Sequence, residues 1–285
     1  IPRLSNVTET RQTFLDYNLE AFPNYSHTFD EVHNVKGTFG ASLFGNRGET
    51  LTGTAYDTPY NSWEFADISA ADGSNLLNST SSTQYRSRLQ SLFLRAEYNY
   101  RQKYLASLIL RRDGSSNFGE NNRYGFFPTG SVGWVISDES FFNLGPVDFA
   151  KIRASYGVTG NDRIPLFAYR ALLGGEGVYV FNDQLANGIA LGRLGNPDLK
   201  WETTSQANVG VNFSVFEGII NVDLDYYTKT TRDLLFAPDV SGVLGAYGAG
   251  SAPPFINAGD VRNSGVDFAI AYNQNLGNDF NLNFN

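Results

Sequence analysis

Between Ser205 and Val215 apolar and polar residues take turns without interruption. Ala207, Val209, Val211, Phe213 and Val215 fall on one parity; Gln206, Asn208, Gly210, Asn212 and Ser214 fall on the other. A period of two is that of a β-strand with one apolar and one polar face. The same alternation recurs over 221–228, 265–272 and 92–100. The runs between turn signals are long, and most reach the 9–11 residues or so that a tilted strand needs to cross a bilayer.

The spacing of the runs adds a second constraint. Strands are expected over 12–29, with a bend at Pro23, and over 34–47, 85–100, 104–112, 124–137, 151–160, 200–216, 219–235 and 257–275, with a last one beginning near Phe280. Short turns are expected near Asp30, Arg101, Asp138, Glu217 and Leu276, and long connections over 48–84, 113–123, 161–199 and 236–256. The 161–199 connection has room for a small hairpin around 178–181. Turns that are short on one side and long on the other belong to an outer-membrane β-barrel. A soluble β-sandwich shares the residue alternation without a reason for that asymmetry. The expected fold is therefore all-β: an antiparallel transmembrane sheet of about ten strands.

Composition bounds the alternatives. Mean hydropathy is -0.28, which for a barrel only reports that polar lumen residues offset lipid-facing ones. No run approaches the ~18 apolar residues of a membrane helix. Aromatic residues make up 14%, including 16 Tyr and 22 Phe, enough to furnish interfacial girdles. The absence of Cys rules out disulfides and thiolate metal sites. The net charge of -8, without a basic cluster, argues against nucleic acid as a partner. The chain starts at Ile1 without Met and stops within a strand-like run, so it reads as a segment of a longer protein.

Several motifs go beyond alternation. Leu110-Arg111-Arg112-Asp113-Gly114-Ser115-Ser116-Asn117-Phe118-Gly119 precedes Arg123-Tyr124-Gly125-Phe126-Phe127-Pro128. Gly133-Trp134, then Ser137-Asp138-Glu139-Ser140-Phe141-Phe142, and Ser155-Tyr156-Gly157-Val158-Thr159-Gly160-Asn161 follow. Later come Asn196-Pro197-Asp198-Leu199-Lys200-Trp201-Glu202, Asp225-Tyr226-Tyr227-Thr228-Lys229 and Asn257-Ala258-Gly259-Asp260-Val261-Arg262-Asn263-Ser264-Gly265-Val266. In order and spacing these resemble the barrel of the SusC/RagA-like TonB-dependent outer-membrane transporters of Bacteroidetes, clearly from about Tyr85 onward and more weakly before it. The resemblance implies that residues 1–285 are part of a 22-stranded barrel domain, with the plug, the N-terminal part and the last strands absent. It further implies import of oligosaccharides or peptides through the cell outer membrane of a Gram-negative bacterium. A SusD-like surface lipoprotein would cap the barrel, and the TonB complex would act through the absent plug. Outer-membrane lipid would contact the wall, and no cofactor is implied.

Candidate ligand-binding residues lie on the long connections, since loops on a rigid scaffold carry binding groups. They are Trp63, Asn117, Arg123, Asn161, Asp162, Tyr179 and Tyr247, with Tyr56, Tyr60 and Phe181 as further loop aromatics. Arg111, Arg112, Arg123 and Asp113 are compatible both with ion pairs across a loop base and with contact to an anionic or sugar ligand. The run from Asp113 carries oxygen side chains at alternate places. It has Phe118 and Tyr124 where a calcium loop requires Gly and Glu. No catalytic triad, H-E-x-x-H or phosphate loop is present, and His27 and His33 flank a short turn. Two other classes stay open on residues alone. A barrel enzyme would need His, Asp and Ser gathered at the loop rim. A soluble carbohydrate-binding sandwich would have shorter strands.

On face assignment, Val209, Val211, Phe213, Val222, Leu224, Phe268 and Ile270 should share one side, and Asn208, Asn212, Asp223, Asp225 and Asp267 the other.

Overall fold

The computed structural model describes residues 5–59, 62–244, 251–275 and 281–284. The strands are β1 (Asn6–Ala21), β2 (Asn24–Phe29), β3 (His33–Tyr56), β4 (Ser79–Tyr100), β5 (Tyr104–Ser115), β6 (Tyr124–Val135), β7 (Val147–Asn161), β8 (Leu172–Phe181), β9 (Gln184–Arg193), β10 (Glu202–Val215), β11 (Ile220–Arg232), β12 (Leu235–Phe236), β13 (Ile256–Asn257), β14 (Val261–Asn275) and β15 (Asn281–Phe284). Apart from single 3-10 turns, no helix interrupts them among the described residues.

The chain divides into two compact units. The first comprises 1–19 and 43–89; the second comprises 20–42 and 90–285. In the first, β1 lies beside β3 and β3 beside β4. Hydroxyl pairs Thr8–Thr54 (3.0 Å) and Thr10–Thr52 (3.3 Å) link its strands. The rings of Tyr17 and Tyr85 occupy the space that a side chain at Gly45 or Gly48 would need. The connection over 57–78 folds on itself through side-chain turns at Asp67, Asp72 and Asn75, which accept from Ser69 N, Ser74 N and Leu77 N at 2.8, 2.9 and 3.0 Å.

In the second unit the hydrogen-bonded order is β3-β4-β5-β6-β7-β10-β11-β14-β15, with β2 also on β3. The pairs β2–β3, β5–β6, β6–β7, β7–β10, β10–β11, β11–β14 and β14–β15 are all antiparallel. Their short turns are tight. Asp30-Glu31, Arg101-Gln102 and Phe216-Glu217 each place two successive residues at positive φ, the conformation that matches strand twist in a two-residue hairpin. β8 and β9 form a separate two-stranded sheet within the 162–201 connection, and β12 pairs with β13 at the base of the 237–255 connection.

The registers put the expected faces in place. Val211 is opposite Leu224 and Ile152, Phe213 opposite Val222 and Ala150, and Leu224 opposite Phe268. Asn212 is opposite Asp223 and Lys151, and Asp225 opposite Asp267 and Gly210. The apolar face is solvent-accessible rather than packed under another layer. Val209, Leu224, Phe268 and Ile270 are exposed, whereas Val222 is the buried member of the set.

Strand bounds differ from expectation at the polar ends. β3 runs on to Tyr56 and β4 starts at Ser79, so the 48–84 connection shrinks to 57–78. Asp113, Gly114 and Ser115 belong to β5, not to a loop, and the expected hairpin around 178–181 extends over 172–193. Pro23 does mark an interruption, falling between β1 and β2. The turn expected over 276–279 lies outside the described residues.

Candidate functional site

Two regions of the second unit carry chemistry: the polar face of its strands and the end where the long connections emerge. On the polar face Arg153 of β7 reaches across β10 to the carboxylate of Asp225 on β11, with its Nε donating to Asn212 Oδ1 at 3.0 Å. Asn212 in turn donates to Asp223. The reach passes over Gly210. A Cβ there would collide with the Asp225 carboxylate and crowd the Arg153 guanidinium, so only glycine leaves the path open. Further along the same face hydroxyl groups predominate. Ser107 and Ser131 share a hydrogen bond at 2.7 Å, and Thr204 and Thr231 share one at 2.9 Å. A shallow concavity of about 330 Å³ is lined there by Thr129, Ser155, Thr159, Thr204, Gln206 and Lys229 among others.

The long-connection end is held by a buried knot. Phe118, Ala168 and Leu199 are fully buried, and Phe127 and Trp201 nearly so. The Trp201 ring lies 5.2 Å from Phe118 and 5.3 Å edge-on to Phe127, and its indole N–H donates to Arg123 O at 3.2 Å. A side chain at Gly160 would strike Phe127 and Trp201.

Polar clamps surround this core. Ser115 Oγ donates to Asp162 Oδ2 (2.6 Å), Asn117 Nδ2 to Asp162 O (3.0 Å), Asn122 Nδ2 to Asp198 O (2.9 Å) and Asn161 Nδ2 to Glu202 Oε1 (3.1 Å). Asn257 accepts from Lys200 N at 2.9 Å and donates to Lys200 O and Asp233 O at 2.8 and 3.0 Å. Asn196 donates to Phe255 O at 3.0 Å and turns its own chain by accepting from Asp198 N. The motifs scattered over 110–128, 155–161, 196–202 and 257–266 thus meet in one structure.

The sequence candidates separate accordingly. Asn117, Asn161 and Asp162 come together at the knot, where most of their hydrogen-bonding capacity is directed at protein; only Asn117 Oδ1 is buried without a partner. Arg123 contributes its carbonyl to Ser115 N and Trp201 while its side chain is exposed. Trp63 lies in the first unit, in the 57–78 connection, and is 95% exposed. Tyr179 is 70% exposed on β8. Tyr60 and Tyr247 lie outside the described residues. Arg111 and Asp113 form the ion pair expected at a loop base: Arg111 Nε contacts both Asp113 oxygens (2.8 and 2.7 Å), and its Nη2 donates to the buried Ser91. Trp201, Ser115 and Asn257 were not singled out in the sequence as holding the site. Their signal was there in the motifs, but without the fold nothing joined residues up to 142 positions apart.

At the short-turn end an aromatic row crosses the strands. Tyr100, Tyr104, Trp134 and Phe141 follow one another at 6.2–6.4 Å, with His33 4.9 Å from Tyr100. Glu139 accepts from Tyr104 OH (2.6 Å) and Trp134 Nε1 (3.1 Å) and pairs with Lys103 (3.4 Å). The Tyr104 hydroxyl, followed by the indole, holds the Glu139 carboxyl below its usual range.

With this geometry in hand, the comparison with known proteins is decisive. The family of TonB-dependent receptor-like β-barrels matches residues 3–285. The chain belongs to that family. TonB-dependent receptor P39 of Formosa agariphila is 36% identical over 93% of the chain and 25% of its own length. TonB-dependent receptor SusC of Bacteroides thetaiotaomicron is 32% identical over 65% of the chain and 18% of its own length. The structure of the RagAB peptide transporter superposes with a TM-score of 0.84 at 24% identity, over 97% of this chain and 30% of that one, which shows the shared fold. The chain spans about a quarter of the length of the first two Formosa relatives. It is an outer-membrane TonB-dependent receptor barrel region.

Proposed function

We propose that this chain is a stretch of barrel wall in a TonB-dependent importer of oligosaccharides or peptides, working without covalent chemistry. The observation that carries the reading is the two-faced sheet. One parity exposes Val209, Leu224, Phe268 and Ile270, as a lipid-facing wall would, and the opposite parity carries internally paired charges and hydroxyls, as a lumen would. Barrel closure, the plug and the TonB contact belong to the rest of the protein. The long connections face outward, where a SusD-like lipoprotein would cap the barrel. The β8–β9 hairpin is the natural contact region, since an isolated two-stranded sheet is marginal in water and Tyr179, Phe181, Leu185 and Ile189 are all more than 60% exposed.

The test is made in the full-length transporter. Val211→Arg should cost about 2–4 kcal/mol of barrel stability if Val211 meets mid-bilayer, measured by urea unfolding from liposomes. Asn208→Ala on the lumen parity should leave unfolding unchanged. Deleting 172–193 should abolish capture of the cap lipoprotein or uptake of labelled glycan or peptide, each scored separately, while the barrel still inserts. An inserted barrel with capture and uptake both intact removes the hairpin from the proposal.

A further inference from the structure

We infer that the cleft between the start of β1 and the 57–78 connection, in the first unit, is a carbohydrate site that stacks a neutral pyranose ring on Trp63. The inference rests on the reading of the chain as importer wall and narrows the ligand at this place to glycan over peptide. The cleft measures about 540 Å³, inside the range of about 300–1,000 Å³ usual for ligand sites. Asn6, Glu9, Ser62, Trp63, Asp67 and Ile68 are among its walls, all from the first unit.

Three ties hold those walls in place. Asp57 N donates to Ser5 O at 2.8 Å and Ser5 Oγ donates to Thr58 O at 3.1 Å, which fastens the start of β1 to the connection. Ile68 lodges over Gly53 of β3, where a Cβ would strike its Cδ1. The 3-10 turn Trp63–Phe65 closes through Phe65 N to Ser62 O (3.2 Å) and Ala66 N to Trp63 O (3.3 Å). The backbone that presents the indole is thus fixed, while the ring itself is 95% exposed.

Ring and oxygens offer the two halves of saccharide recognition. The flat apolar face of an indole takes the C–H face of a pyranose, and amide, hydroxyl and carboxylate oxygens at its edge take the sugar hydroxyls. Asp67 is oriented for this. Its Oδ1 accepts from Ser69 Oγ at 2.7 Å and Ser69 N at 2.8 Å. The Ser69 hydroxyl, followed by its backbone N–H, holds the carboxyl below its usual range, so Asp67 remains an acceptor. No Lys or Arg lines the cleft, and the one cation of β1, Arg11, pairs with Glu9 at 3.3 Å. Walls rich in oxygen and free of cations select against phosphate, sulfate or a peptide carboxylate, which call for guanidinium or ammonium partners. A neutral ligand rich in hydroxyl donors fits them.

The experiment applies the full-length transporter in nanodiscs to an array of neutral oligosaccharides covering the common hexopyranose linkages, with tetrapeptides as the contrasting probes. Wild type should bind oligosaccharides on the array. Trp63→Ala should weaken that binding about tenfold or more, whereas Trp63→Tyr, which keeps a stacking face, should retain most of it. Asn6→Ala, which removes one hydrogen-bonding side chain, should weaken it about threefold to tenfold. Glycan binding absent from wild type, or unchanged in Trp63→Ala, overturns the inference, as does Trp63-dependent binding of the tetrapeptides alone. If Trp63→Ala loses capture of the cap lipoprotein with glycan binding intact, Trp63 belongs to a protein interface and the inference fails. Should Trp63→Ala not insert, Ala66→Arg, which fills the cleft and leaves the ring in place, decides by the same readout. Uptake of labelled glycan and peptide is followed in parallel. An array signal lost while uptake persists supports the site and leaves the importer reading standing. Uptake absent from an inserted wild type fails the importer reading, and the array still decides the site.

Discussion

The 162–201 connection contains two regions that differ in almost every physical respect. Its base, over 162–168 and again over 196–201, plants the buried Ile164, Ala168, Leu199 and Trp201 and is tied to Ser115 of β5, Phe127 of β6 and Asn257 of β13. Its middle, the β8–β9 hairpin, is exposed on its apolar side chains and tied down chiefly near Arg193, where Ala252 N donates to Gly192 O at 2.9 Å and Phe255 faces the guanidinium. The base spends its side chains on the protein; the hairpin holds them out. Recognisable motifs therefore mark the part that is tied to the strands, and the exposed hairpin carries little motif at all.

The largest test of this contrast is Trp201→Ala. Removing a ring packed on Phe118 and Phe127 should cost about 3–5 kcal/mol, read by urea unfolding of the inserted barrel; a loss under about 1 kcal/mol would mean the knot is not a core. Gly160→Ala attacks the same knot by overfilling it and should cost about 1–3 kcal/mol, with an altered Trp201 fluorescence. Asn257→Ala removes one accepted and two donated hydrogen bonds, leaving Lys200 and Asp233 backbone groups unpaired. It should cost about 1–3 kcal/mol and speed proteolysis within 233–257. The smallest stability effect belongs to the hairpin. Tyr179→Ala and Leu185→Ala should stay within about 0.5 kcal/mol of wild type, while weakening capture of the cap protein in pull-down. A stability loss equal to that of Trp201→Ala would erase the distinction between the two regions.

How much of this was legible follows the same division. Where strands cross the apolar band, the period of two assigned the faces correctly, as the pairs Val211–Leu224 and Asn212–Asp223 show, while the registers themselves came only from the fold. Beyond the band the signal faded. Residues 48–56 and 79–84 read as loop because Gly, Ser and Thr dominate them, yet they are strand, with Thr52 and Thr54 bonded across to Thr10 and Thr8. Asn117 and Asp162 were legible as important polar residues. That they bond each other could not be read, because their proximity depends on the pairing of β5, β6 and β7. The hairpin was found too short for a like reason: Gly174, Gly175, Gly177 and Gly188 mask the strands that flank Tyr179.

The Arg153–Asp225 bridge over Gly210 has a consequence for how such walls can diverge. Three positions on three strands form one heritable unit: a side chain at 210 closes the passage between the two charges, and losing either charge strands the other on the polar face. A lineage can retain all three or replace all three, but single steps between those states pass through a weakened wall. Changes in lumen chemistry at this height should therefore come as coordinated triplets, while neighbouring hydroxyl positions such as Ser131 drift one at a time.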